Sequence, residues 1–142
     1  MTAAKYTLAT HLNHLRQFTK KQKEYQKKVS QKTFLTDEMA QDALLKSLER
    51  VLESVITISN MIIAEEDFKK PETKQNAFEI LASEKVITKI LSKKLEGVAG
   101  FRNILIHDYI DLNLKLAYRN AVKSMPVFDE FSKQIARHIK KS

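Results

Sequence analysis

Two glycines and two prolines in 142 residues leave this chain few sharp turns, because glycine supplies left-handed backbone and proline the preset bend that most tight turns use. A fold of many short strands needs such punctuation about every ten residues, and long helices do not. The abundant Leu, Ala, Lys, Glu and Gln are the residues helices favour. The expected fold is all-α, an antiparallel bundle of four or five helices forming a single domain over residues 1–142. A chain of this length buries roughly two-thirds of the surface it exposes when unfolded, so no staple is needed. The absence of cysteine excludes disulfides, thiolate zinc sites and cysteine nucleophiles, and makes a reducing cytoplasm the expected location. The first residues lack a charged start followed by an apolar run, and no apolar stretch approaches about 18 residues, so neither export nor a membrane span is expected.

Apolar residues recur at helical spacing along most of the chain. Leu8, Leu12, Leu15, Phe18, Tyr25 and Val29 trace one drifting stripe, with Arg16, Lys20, Lys23 and Lys27 opposite. That basic outer face is either a solvated surface or a weak RNA-contacting one. The formal charge of +8 predicts attraction to polyanions without choosing among RNA, DNA and anionic lipid. QKTFLTDEM breaks the pattern, with Thr36 the expected N-cap and Asp37 and Glu38 suited to the positive end of a helix dipole. In the next helix Leu44, Leu48, Val51, Val55, Ile58 and Ile62 form a seam that Leu45, Leu52, Ile56 and Ile63 widen, which marks it as the most buried. EEDFKKPETK, with Pro71, reads as a polar connection, and NAFEILASEKVI as a short helix with Phe78 and Leu81 inward.

Thr88 is the expected cap of a helix carrying Ile87, Leu91, Leu95, Val98, Phe101 and Leu105. Gly97 and Gly100 lie inside it, each costing up to about 1 kcal/mol relative to alanine. Such a pair either permits close approach of another helix or marks a kink. Asp111 is the expected cap of a last region in which Leu112, Leu116 and Ala117 face inward. Pro126 is expected to interrupt or restart the helix before Phe128, Phe131, Ile135 and Ile139.

The run AGFRNILIHDY gathers Arg102, Asn103, His107, Asp108 and Tyr109. Residues five apart on an ideal helix point about 140° apart, so Arg102 and His107 do not share a face, whereas Asn103 and His107 are neighbours. The cluster therefore wraps the end of a helix. Polar groups satisfying one another at a buried helix end and an active site both fit that pattern.

The run resembles the RX4HXY signature of HepT-like toxins, a branch of the HEPN superfamily of all-helical ribonucleases. The likeness extends over residues 40 to 135, through IIAEEDFKKPETKQNAFEILASEKVI, the paired glycines and IDLNLKLAY, and Asn103 matches the residue that commonly follows the motif arginine. The Lys-rich first helix is the least family-like part. The resemblance implies a homodimer whose motif helices face one cleft, and cleavage of RNA without metal or cofactor. It also implies a cognate nucleotidyltransferase antitoxin, MntA, that inactivates the toxin by transferring AMP from ATP to the motif tyrosine, here Tyr109.

The residue chemistry suits that implication. RNA carries its own nucleophile, the 2′-hydroxyl, so a ribonuclease can work with acid-base catalysis and charge stabilisation alone. An imidazole exchanges protons near neutrality, which makes His107 the proton-transfer group, and the planar guanidinium of Arg102 suits a phosphate clamp. Asn103 would orient His107 or the phosphate, and Asp108 would support the histidine or end the helix. AMP on Tyr109 would add bulk and negative charge near the substrate phosphate and block RNA.

His11 and His14 are spaced like metal ligands, but no nearby carboxylate completes a set, and the Glu-x-x-His pairs of di-iron bundles are absent. No metal is expected. His138 is expected in solvent, and Glu65, Glu66 and Asp67 close a helix at its negative end, where acids are unfavourable. The alternative to a ribonuclease toxin is a non-catalytic bundle that binds substrate or nucleotide for a separate nucleotidyltransferase; Arg102, His107 and Tyr109 together favour the first. A plain RNA-binding or oligomeric scaffold using the first helix is a third reading.

Overall fold

The computed structural model describes residues 2–107 and 113–141, with the side chains of residues 102–107 outside that description. Six helices follow in order: α1 (Ala3–Lys28), α2 (Gln31–Thr36), α3 (Glu38–Glu65), α4 (Lys74–Ser83), α5 (Lys89–His107) and α6 (Leu114–Lys141). The all-α bundle is as expected, and the helix beyond the expected four or five is the short α2.

Each start has a local chemical cause. The side chains of Thr2, Ser30, Asp37, Thr73, Thr88 and Asn113 each accept a hydrogen bond from a backbone N–H three residues on, which satisfies an otherwise orphan donor. With no glycine to spare, α3 and α4 end on left-handed Asp67 (φ 55°) and Lys85 (φ 63°). Behind each, an apolar residue closes the turn: the Phe68 N–H reaches Ile63 O at 3.0 Å and the Val86 N–H reaches Leu81 O at 2.8 Å, the Schellman arrangement.

α3 packs against all five other helices, and Leu44, Leu48, Val51, Val55, Ile58 and Ile62 on it are buried, as the widened seam requires. Long-range hydrogen bonds fix the directions of its neighbours. Gln22 Nε2 donates to Leu44 O at 2.9 Å, Tyr118 Oη to Val29 O at 2.8 Å, and the Thr88 N–H to Gln134 Oε1 at 2.9 Å. α1 therefore runs antiparallel to α3 and α6, and α5 antiparallel to α6. The end of α5 lies at the same end of the bundle as α2, the end of α1 and the start of α6.

Several local expectations are corrected. The N-cap of α3 is Asp37, whereas Thr36 completes α2 and donates to Lys32 O. α6 begins after Asn113, whose Oδ1 accepts from the Leu116 N–H at 3.1 Å; Asp111 and Leu112 lie outside the described residues. Leu116 is 48% exposed, because Ala117, Ala121, Phe128 and Ile135 set the buried register of this helix. Pro126 neither interrupts nor restarts α6, which continues through it. Proline there faces solvent, and Met125, Phe128 and Phe131 around it are buried. His138 is not simply in solvent: its Nε2 lies 3.5 Å from Glu66 Oε1, which places a partner beside an acid at the α3 terminus.

Candidate functional site

The motif helix is built from its first residue. Thr88 Oγ1 caps α5 through the Leu91 N–H at 3.1 Å, but position 91 carries no acceptor to reach back to the Thr88 N–H. Gln134 of α6 supplies that acceptor at 2.9 Å, and its own Nε2 donates to Glu130 Oε1 at 3.0 Å. A residue from another helix thus completes the reciprocal cap that a local Glu or Gln would normally make. Beyond the cap, Leu91, Ser92, Leu95 and Ala99 are buried, which seats α5 on the core.

The other side of α5 is different. Among the described residues a Cβ built on Gly97 or Gly100 meets nothing within 4 Å, so neither glycine serves a close approach there, and the helix is continuous through both. Ile90, Gly97 and Phe101 fall within about 40° of one another on a helical projection. Ile90 is 70% exposed and Phe101 half-buried. On the α4 side, the Glu96 carboxyl is held above its ordinary pKa, first by desolvation and then by a hydrogen bond to Glu79 and its charge, with Lys93 opposing.

Arg102, Asn103 and His107 belong to the last turns of α5, which is helical through His107. Their side chains lie outside the described residues, as do Asp108 and Tyr109 entirely.

Three of the four basic residues singled out on α1 come together. Arg16, Lys20 and Lys23 line a groove of about 560 Å³ with Lys133, Arg137 and Lys140 of α6, over a floor that includes Thr19, Ser132 and Ala136. Lys27 is exposed and outside this lining. Asp129, the acid in the lining, pairs with Lys23 at 2.6 Å. The α6 half was missed at the sequence level, although Lys133, Arg137 and Lys140 are spaced to share a helical face.

His11 and His14 pack edge to face with centroids 5.9 Å apart. No group of three or more His, Cys, Asp or Glu side chains able to hold a metal occurs among the described residues. Among them, too, no helix is long and apolar enough to cross a membrane.

A family model described as Ribonuclease HepT-like matches residues 9–135. The chain belongs to the HepT-like ribonuclease family. The match begins inside α1 and so takes in most of the lysine-rich first helix. An mRNA nuclease HepT of Shewanella oneidensis is 33% identical over 98 residues, covering 69% of this chain and 74% of that protein. The tri-AMPylated HEPN toxin of Shewanella oneidensis, solved in complex with MNT antitoxin, aligns at a TM-score of 0.83 with 27% identity, over 96% of this HepT-like chain and 99% of that one. YutE of Bacillus subtilis, a cytosolic protein of unknown function, shares the fold at a TM-score of 0.81 and 18% identity, over 96% and 90% of the two chains.

Proposed function

We propose that this HepT-like chain is the toxin of a toxin-antitoxin pair, an endoribonuclease that cuts RNA without metal in a cleft between two copies. The observation that carries the proposal is the complete Arg102-x4-His107-x-Tyr109 run in a chain whose HepT-like match spans residues 9–135. The mRNA nuclease named among its relatives supports the substrate class.

In this reading His107 removes the proton of the 2′-hydroxyl, the oxygen attacks the adjacent phosphorus, and the bond to the 5′-oxygen breaks. The second copy's histidine returns a proton to that leaving oxygen. Arg102 neutralises the charge developing on the non-bridging oxygens, Asn103 orients imidazole or phosphate, and Asp108 supports His107. The side of α5 bearing Ile90, Gly97 and Phe101 is where a second copy would approach, since Ile90 is exposed there and a Cβ at Gly97 would meet nothing within 4 Å among the described residues.

The partner is an MntA-type nucleotidyltransferase that transfers AMP from ATP to the Tyr109 phenolic oxygen with release of pyrophosphate, placing a phosphate where substrate would sit. The AMPylated toxin with its antitoxin supports this reading. Both act in the cytoplasm.

Purified protein made without its partner is expected to cleave RNA in EDTA, and His107→Ala to abolish cleavage while keeping the helical circular dichroism of the parent. Undiminished cleavage by that variant overturns the assignment.

A further inference from the structure

The positive charge of this protein is not spread over its surface. Fourteen of the 25 Lys and Arg residues, and only three of the 17 acids, lie on α1 and α6, so these two helices hold a net +11 while the whole chain is +8 and the remainder is acidic. α1 and α6 pack side by side, and six of these fourteen cations line the groove described above. Lys23 is neutralised by Asp129. Arg16, Lys20, Lys133, Arg137 and Lys140 make no ion pair among the described residues.

The groove is also not an isolated spot. On a helical projection of α6, Lys115, Arg119, Lys123, Lys133, Arg137 and Lys140 fall within about 100° of one another, and all six are exposed. Lys115 to Lys140 spans about 38 Å of helix. The row starts at the end of the bundle where α5 carries Arg102 and His107, and runs to the opposite end. No aromatic side chain belongs to the groove lining, so bases have nothing there to stack on.

We propose that the α1–α6 groove is a track for the phosphate backbone of single-stranded RNA, holding the substrate beyond the scissile bond without reading its bases. This rests on the ribonuclease reading for its choice of polyanion, but not on any catalytic step. A row of like charges along α6 that leads into a groove with a floor of small side chains matches regularly spaced phosphates. An acidic protein surface would have to repeat its carboxylates along the same line. Concentrated positive potential of this kind also raises the rate of encounter with RNA.

The test uses the full chain carrying His107→Ala, so that RNA survives the measurement, and a fluorescein-labelled 20-nucleotide single-stranded RNA. Anisotropy is followed from about 50 to about 300 mM salt. Each phosphate contact contributes about −0.7 to the slope of log affinity against log salt, so six contacts give about −4. Adding Lys20→Gln, Lys133→Gln and Arg137→Gln is expected to weaken binding at least about tenfold at fixed salt and bring the slope to about −2. Arg16→Gln with Lys140→Gln gives an independent pair should the triple variant melt early, with a slope of about −2.8 expected. Affinity and slope equal to the parent in folded variants overturn the proposal. So does loss of antitoxin binding with RNA affinity unchanged, which would make the groove a protein-docking surface. Wild-type protein that binds RNA through the groove yet leaves it uncut sinks the ribonuclease reading and leaves the track standing.

Discussion

Gln134 shows how much one side chain can do for a distant site. It is buried, it closes the cap of the helix that carries the motif, and it belongs to a different helix from the one it caps. Gln134→Ala leaves the Thr88 N–H without its acceptor and is expected to lower the unfolding free energy by about 1–2 kcal/mol, read from the urea midpoint at an unchanged m-value. Gln22 and Thr19 are comparable cases on α1. Both are buried polar residues, satisfied through Leu44 O and Leu15 O respectively. None of the three stands out in the sequence, because an interior glutamine or threonine on a helix looks like a surface residue until its partner is known. The motif is a different case: type and spacing single out Arg102, Asn103, His107 and Tyr109 but fit a self-satisfied polar cluster as well as an active site, and it is the resemblance to HepT-like toxins that favours the second.

At the scale of elements, Pro126 is the instructive failure of local reasoning. A proline inside a helix removes one hydrogen bond and crowds the carbonyl four residues back, at a cost of about 3 kcal/mol, which is why a break was expected. α6 continues because Ala121, Phe128, Phe131 and Ile135 all enter the core in one register, and their burial outweighs one local defect. Pro126→Ala is therefore expected to raise the thermal midpoint, with a gain of up to about 3 kcal/mol, and to leave helix content essentially unchanged. A fall in stability would mean the proline is accommodated by packing that alanine cannot replace. Thr88 behaves as its sequence position predicts, whereas Thr36 gives way to Asp37, one residue on. Cap identity is set within one residue by competition between equally suitable side chains, and helix existence is not.

For the whole molecule, the proposed dimer and the proposed RNA track fall on different faces, the dimer on the apolar, small-residue side of α5 and the RNA on the cationic α1–α6 face. Gly97→Glu tests the first. A Cβ at position 97 meets nothing within 4 Å among the described residues, and the substitution removes a helix-interior glycine, so each copy should be at least as stable by thermal melting. Analytical ultracentrifugation should then show monomer in place of dimer, with RNA cleavage reduced; a dimer unchanged by the substitution would move the interface off this face. The all-α class, the apolar faces of α1, α3 and α5, the Thr88 cap and the family likeness were determined by the sequence alone, since helical hydrogen bonds and stripes join residues three or four apart and leave a period. The pairing of α1 with α6 was decided by tertiary structure. Lys23 and Asp129 are 106 residues apart, Thr88 and Gln134 are 46 apart, and contacts across such distances impose no periodicity that a linear reading can detect.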